Sequence, residues 1–355
     1  MRTRRLFLST IFILVVQLAT YASLNAAEKL PAQLTDEEFW KLSSEFSEPD
    51  GTFRSDNLLS NESYFQFVIP QLNASIKPGN VYMGVGPEQN FTYISALKPR
   101  MVFIVDIRRG NLDLHLMYKA LFEMSADRAE FVSRLFARKQ PAGIGPNSTV
   151  EQIFTAVSNA ESSDEIYNEN LQAIKDHLMK KHSFPLSEND LDGLEWVYGN
   201  FHRFSTSINY GSSGRGGFGN GVTYADLMTA TDNNGVSRSY LANEENFNVL
   251  KSLHLKNLLV PVVGNFSGPK AIRAVGNYVK QREGTVVAFY LSNVEQYLQQ
   301  DGIWNEFCRN VATLPLDDSS TFIRSVRGGA FGFGSGLNSD LGNISSEVKT
   351  CASEK

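Results

Sequence analysis

VYMGVGPEQNFTYISALKPRMVFIVDIRRGN, residues Val81 to Asn111, decides how the rest of the chain is read. The stretch is spaced as strand, glycine turn, helix, strand and terminal acid. Val81, Met83 and Val85 are apolar, while Gly84 and Gly86 let the backbone turn tightly beside a ligand. Pro87 suits a first helical position, where its missing N–H costs nothing. Phe91, Ile94, Ser95 and Leu97 recur at helical spacing, and Lys98 and Pro99 stop the helix. Met101 to Val105 is wholly apolar, as a buried parallel strand requires, and Asp106 closes it. Asp106 comes 22 positions after Gly84, near the spacing at which a carboxylate meets a ribose in nucleotide-binding βαβ units. The same pattern also fits a glycine turn that joins two strands and binds nothing.

The second half of the chain repeats this pattern. Asn257 to Val263 is an apolar strand in which Pro261 points to a bulge or an edge. Lys270 to Gln281 reads as a helix, and Thr285 to Leu291 as a further strand. Ser292 and Asn293 are placed to cap a helix over Val294 to Gln300, and Thr321 to Val326 reads as the last strand. Repeated strand–helix units predict an α/β protein with a doubly wound, mostly parallel sheet. Ligands bind such sheets at the carboxyl ends of the strands, which puts Gly84, Gly86, Asp106, Asn265, Phe266, Ser292 and Asn293 on one rim. Between the halves, helical spacing over Leu112 to Met124, Ala126 to Arg138, Thr149 to Ala160, Ser163 to Lys181 and Ser187 to Phe204 predicts a large helical insertion at about 112–210. Gly211 to Gly221 is too glycine-rich for regular structure and reads as a linker or a lid. Val222 to Met228 reads as a third strand.

Residues 1–27 have the form of an export signal, with a basic Met1 to Arg5, an apolar Leu6 to Ala19 and small residues up to Ala27. Thr3 to Leu8 is similar to a twin-arginine signal, and no stable membrane span is expected after cleavage. Residues 28–75 read as an N-terminal helical segment, with Phe39, Trp40, Tyr64 and Phe65 packed on the main domain. The main domain covers 76–326, and 327–355 reads as a Gly/Ser-rich flexible tail. Cys308 and Cys351 are the only cysteines, and with Cys351 in that tail two free thiols are expected. A net charge of −5 argues against binding nucleic acid through phosphates. The five histidines show no i,i+4 pair and no CxxC or HExxH occurs, so no metal site is expected. The absence of GxSxG and GxxxxGK[ST] sets aside common hydrolases and P-loop enzymes.

GVGPE from Gly84, DIRRGN from Asp106, VPVVG from Val260 and FYLSNVEQYL from Phe289 carry a resemblance to a little-characterised bacterial family, over roughly residues 30 to 326. The cofactor half resembles class I, Rossmann-like methyltransferases that use S-adenosylmethionine. That resemblance implies a Rossmann-like domain, a cofactor site at Gly84, Gly86 and Asp106, and transfer of a methyl group to a small-molecule acceptor of unknown identity. Two positions depart from the methyltransferase pattern: Tyr82 stands where an acid is usual, and Glu88 at the third glycine position. An acid at Glu88 suits a cationic sulfonium and repels a pyrophosphate. Asn265 stands where such enzymes place acceptor-side residues and is the catalytic candidate, although an amide takes no proton as a base. An NADP-dependent oxidoreductase is the alternative enzyme, with Arg108 or Arg109 meeting the 2′-phosphate. A catalytically silent binding or scaffold protein on the same frame is the third.

Overall fold

The computed structural model describes residues 29–212, 221–327 and 337–353. The expected export signal and most of the run from Gly211 to Gly221 lie outside the described residues. One sheet contains β1 (Val81–Gly84), β2 (Met101–Asp106), β3 (Leu259–Val263), β4 (Val286–Ser292), β5 (Thr321–Arg327) and β6 (Leu337–Asn343). Their spatial order is β3-β2-β1-β4-β5-β6, with the first five parallel and β6 antiparallel to β5. The architecture is mixed α/β with a mostly parallel sheet, compatible with a Rossmann-like fold. Every residue of β1, β2 and β3 is buried, which is why these strands read as unbroken apolar runs instead of alternating ones. β3 lies at the sheet edge, a position that tolerates Pro261.

Helix α1 (Asp36–Phe46) packs on β3, where Ser43 Oγ donates to Pro261 O at 2.6 Å. α2 (Ile69–Ser75) precedes β1, and α3 (Gln89–Leu97) joins β1 to β2. Between β2 and β3 the described chain is helical: α4 (Arg109–Met124), α5 (Arg128–Leu135), α6 (Val150–Ser158), α7 (Asp164–Asp176), α8 (Glu188–Phe204), α9 (Tyr224–Thr229) and α10 (Glu244–Leu255). A π-helical turn, His177–Lys181, continues α7. α11 (Ala271–Gln281) joins β3 to β4, α12 (Val294–Gln300) and α13 (Trp304–Val311) join β4 to β5, and α14 (Ile344–Ser353) follows β6. Helix starts obey local side-chain chemistry. Thr35, Thr149, Ser187 and Thr223 each form a reciprocal capping box with the residue three positions on. Among the described residues no helix is long and apolar enough to cross a membrane.

The structure corrects three expectations. Val222 to Met228 is not a strand, because Thr223 and Asp226 form a capping box that starts α9, and only one bridge, Asn209 to Thr223, remains. The segment after Arg327 is not a flexible tail where it is described: β6 makes seven register pairs with β5, from Thr321–Asn343 to Arg327–Leu337. Arg324 then links α12 to α14, donating to Glu295 through Nε (2.5 Å) and to Glu347 through Nη1 (3.2 Å). The cysteines are not free thiols: Cys308 on α13 and Cys351 on α14 are disulfide-bonded.

Candidate functional site

The chain leaves β1 on one side for β2 and returns on the other side as β4, so a crevice opens where β1 and β4 diverge. A cavity of about 250 Å³ occupies it. The strand ends supply Gly86 and Pro87 after β1, Asp106 at the end of β2 and Arg108 just after it, Asn265 and Phe266 after β3, and Tyr290 and Ser292 from β4. The opposite wall is a strap from the N-terminal segment that includes Phe53, Asn57, Leu59 and Ser60. The strap is stitched to the strand ends: Glu48 N donates to Val263 O at 2.8 Å and Gly51 N to Ile107 O at 2.9 Å. Its carboxylates also cap two helices whose N-termini face this rim. Asp50 accepts from Arg109 N (2.6 Å) at α4, and Glu48 accepts from Lys270 N (2.7 Å) and Ala271 N (3.0 Å) at α11. From the sequence Glu48 to Gly51 reads only as a turn, since nothing local reveals that a strap lies over distant strand ends.

The glycine turn is built from beneath. Asn90 Nδ2 donates to Val85 O (2.9 Å) and Pro87 O (2.8 Å), and its Oδ1 accepts from Tyr82 OH (2.9 Å). A side chain at Gly84 would collide with Asn90 Oδ1, so this glycine is required by Asn90 and is not itself a cavity-lining residue. Tyr82 holds the asparagine instead of contacting a ligand. Gly86 does line the cavity; its φ is 75°, and a Cβ there would meet nothing within 4 Å. His115, on α4, contacts Gly86 O through Nε2 at 2.9 Å. Burial pulls its pKa down to about 4, so the ring is neutral and Nε2–H donates to that carbonyl.

Glu88 lies outside the cavity lining and is fully buried. Its Oε1 accepts from Ser60 N at 3.2 Å and its Oε2 has no partner. Burial pushes its pKa up to about 8, so near neutrality the group is mainly uncharged. It therefore offers the cavity neither attraction nor repulsion, contrary to the charge expected there.

Asp106 and Arg108 line the cavity as a pair. Arg108 donates to Asp106 Oδ1 through its backbone N (2.9 Å) and Nε (3.1 Å), and to Oδ2 through Nη2 (3.2 Å). Arg108 Nη1 also donates to Asp56 O in the strap. The guanidinium is thus committed, whereas each carboxylate oxygen keeps acceptor capacity. Arg109 is turned elsewhere, its Nε bonded to Asp190 Oδ1 at 2.8 Å on α8. Asn265 lines the cavity, but its Oδ1 closes a local turn onto Ser267 N (3.0 Å) and Ser267 Oγ (2.9 Å).

Two features had no sequence signal. Asn57, in the strap, has φ 45° and a buried Oδ1 without a partner at the cavity wall. Behind β4, the buried Glu62 accepts from Tyr290 OH and Ser292 Oγ, both at 2.7 Å, and from Gln89 Nε2 at 2.5 Å. Burial raises the Glu62 pKa, and the bonds from Ser292, Gln89 and Tyr290 oppose the rise. Ser292 was expected to cap α12. Instead it sits at a break in the β4–β5 register with φ 49°, and its hydroxyl serves Glu62.

No curated protein matches the chain. A family match covers residues 58–189 and 222–349, which include all six strands and leave out the part of the strap from Glu48 to Asn57. On that coverage the chain belongs to the family described as a domain of unknown function, DUF7790.

Proposed function

We propose that the sheet is a doubly wound Rossmann-like frame with a large helical insertion, and that the crevice binds S-adenosylmethionine for methyl transfer to a small-molecule acceptor. The observation that carries this reading is Asp106: a carboxylate at the end of β2, lining a cavity at the strand reversal, with acceptor capacity left for ribose hydroxyls. Gly86 leaves open space beside it, and the orphaned Asn57 Oδ1 offers one more acceptor. A nucleoside fits these residues better than a dinucleotide does. The N-termini of α4 and α11, two further helix ends on this rim that would attract a phosphate, already carry Asp50 and Glu48. The Arg108 fork that a 2′-phosphate would need is spent on Asp106 and Asp56.

When bound, adenosylmethionine supplies an electrophilic methyl on a sulfonium, and the chain's part is to orient it and to exclude water. Asn265 fits a turn-forming role better than an acceptor-holding one, because its carbonyl oxygen is engaged. Calorimetric titration of the mature protein with adenosylmethionine, its demethylated product and NADP tests the reading. Adenosylmethionine or its product binds and NADP does not. Asp106→Ala weakens the nucleoside ligand by ~1.5–3 kcal/mol, the range for hydrogen bonds to a charged group. Tighter binding of NADP, or unchanged affinity in a folded Asp106→Ala protein, overturns the assignment.

A further inference from the structure

At the edge of the sheet opposite the crevice, Glu123, His177 and His182 converge. Glu123 lies in the last turn of α4, whose N-terminus faces the crevice rim about 21 Å away along the helix axis. One ligand atom from each of the three residues lies within 4.8 Å of the others. His177 Nε2 is 2.9 Å and His182 Nε2 is 2.7 Å from the same carboxylate oxygen, Glu123 Oε2. The histidines are five positions apart, a spacing that an α-helix would splay. The π-helical turn His177–Lys181 brings them onto one face. The pair therefore carries no i,i+4 signature in the sequence.

We propose that Glu123, His177 and His182 bind a divalent first-row transition ion of the zinc type. His182 is the deciding residue. Its Nδ1 lies 2.7 Å from Asp36 Oδ1 and its Nε2 faces Glu123, so acceptor-only carboxylates stand at both ring nitrogens. Either an imidazolium donating from both nitrogens, or a neutral ring with Nδ1–H on Asp36 and a cation at Nε2, satisfies them. In the second arrangement Asp36, Nδ1–H and the ion form the carboxylate–histidine–metal relay that orients histidine ligands. Asp36 is itself fixed by Asn257 Nδ2 at 2.8 Å. The far oxygen of Glu123 is already occupied, because Lys119 Nζ donates to Oε1 at 2.6 Å, which leaves Oε2 for the ion.

Two histidines and one carboxylate are a donor set that zinc accepts, with bonds of about 2.0–2.2 Å and a fourth position for water. The two nitrogen–oxygen contacts open by roughly half an ångström to reach the edge of such a tetrahedron. Lys181, 3.5 Å from Oε2 and half exposed, can swing aside. An open groove of about 440 Å³ lined by Asp36, Glu123, Lys181, His182 and Asn257 supplies the entry path.

The test is equilibrium dialysis of the chelator-treated full chain against Zn2+, with Co2+ absorption as a second probe. One ion per chain is expected, together with a low-symmetry cobalt spectrum and a higher Tm in zinc. Asp36→Asn keeps an acceptor on Nδ1 and weakens zinc about 10–100-fold, the usual effect of losing such an outer partner. His177→Ala and His182→Ala weaken it further, while nucleoside binding in the crevice stays unchanged. Absence of stoichiometric zinc in the parent chain, or retention of it by a folded His177→Ala/His182→Ala protein, overturns the proposal. If the histidine variants do not fold, Asp36→Asn decides: affinity equal to the parent's also overturns it.

Discussion

Residue by residue, the crevice separates side chains that face a ligand from those that hold the turn. Gly84 and Glu88 sit in one motif with Gly86, yet only Gly86 lines the cavity. The spacing of the motif was legible because a strand, a turn and a helix are local. The direction of each side chain was not, since it depends on Ser60 and His115 arriving from other segments and on Asn90 folding back beneath the turn. Glu88 is the residue most altered by such an arrival. Its ordinary pKa of 4.5 becomes about 8 in the folded chain because it is buried. Between those values the folded state keeps a proton that the unfolded state has released. Stability therefore falls as pH rises through this window, by up to ~1.4 kcal/mol per unit from this group alone. Glu88→Gln removes that contribution. Urea unfolding at several pH values between 5 and 8 is expected to show a variant whose stability declines less steeply than the parent's and whose nucleoside affinity is unchanged. Equal slopes would mean that Glu88 ionises normally.

At the scale of elements, the chain's strongest local signals became its most faithful helices and strands. Ser187, which caps α8, and the apolar runs of β2 and β3 behave as their chemistry requires. The segment that closes the sheet was not legible. Leu337 to Asn343 alternates too weakly for a strand and acquires order by pairing with β5, a tertiary effect that overrides propensity. The Cys308–Cys351 bond then ties α14 to α13 across a separation of 43 residues. A loop of that length gives a chain-entropy effect of ~2–4 kcal/mol. Cys308→Ser, or mild reduction of the parent, is expected to lower the unfolding free energy by that amount in urea titration. An unshifted midpoint would show that Arg324 and the β5–β6 ladder hold the closing segment without help.

For the molecule as a whole, the disulfide suits an oxidising compartment, and we propose that the chain is exported to one. Adenosylmethionine, by contrast, is a cytoplasmic compound. A folded, loaded protein carried by the twin-arginine route reconciles the two, and Thr3 to Leu8 supplies the motive. Changing Arg4 and Arg5 to lysine is expected to hold the precursor in the cytoplasm, as read by fractionation and immunoblot. Normal export of that variant through the general secretory route would separate the chain from the folded-export pathway. The general architecture was legible because each strand–helix unit announces itself within about 30 residues. The strap and the Glu62 network were not, because each joins segments far apart in sequence, and the histidine pair was hidden by a five-residue spacing that only the π-helical turn brings onto one face.

The contact between Gly84 and Asn90 sets a condition on how this chain can change over time. A mutation that adds a side chain at 84 meets the asparagine that holds the turn, and a mutation that removes the asparagine frees the carbonyls of Val85 and Pro87. Each single step is harmful, but the first loses its severest clash once the second has occurred, leaving only the Tyr82 ring edge at 3.0 Å. The two positions are then one heritable unit, and lineages that keep the turn are expected to drift at 84 and 90 together or at neither.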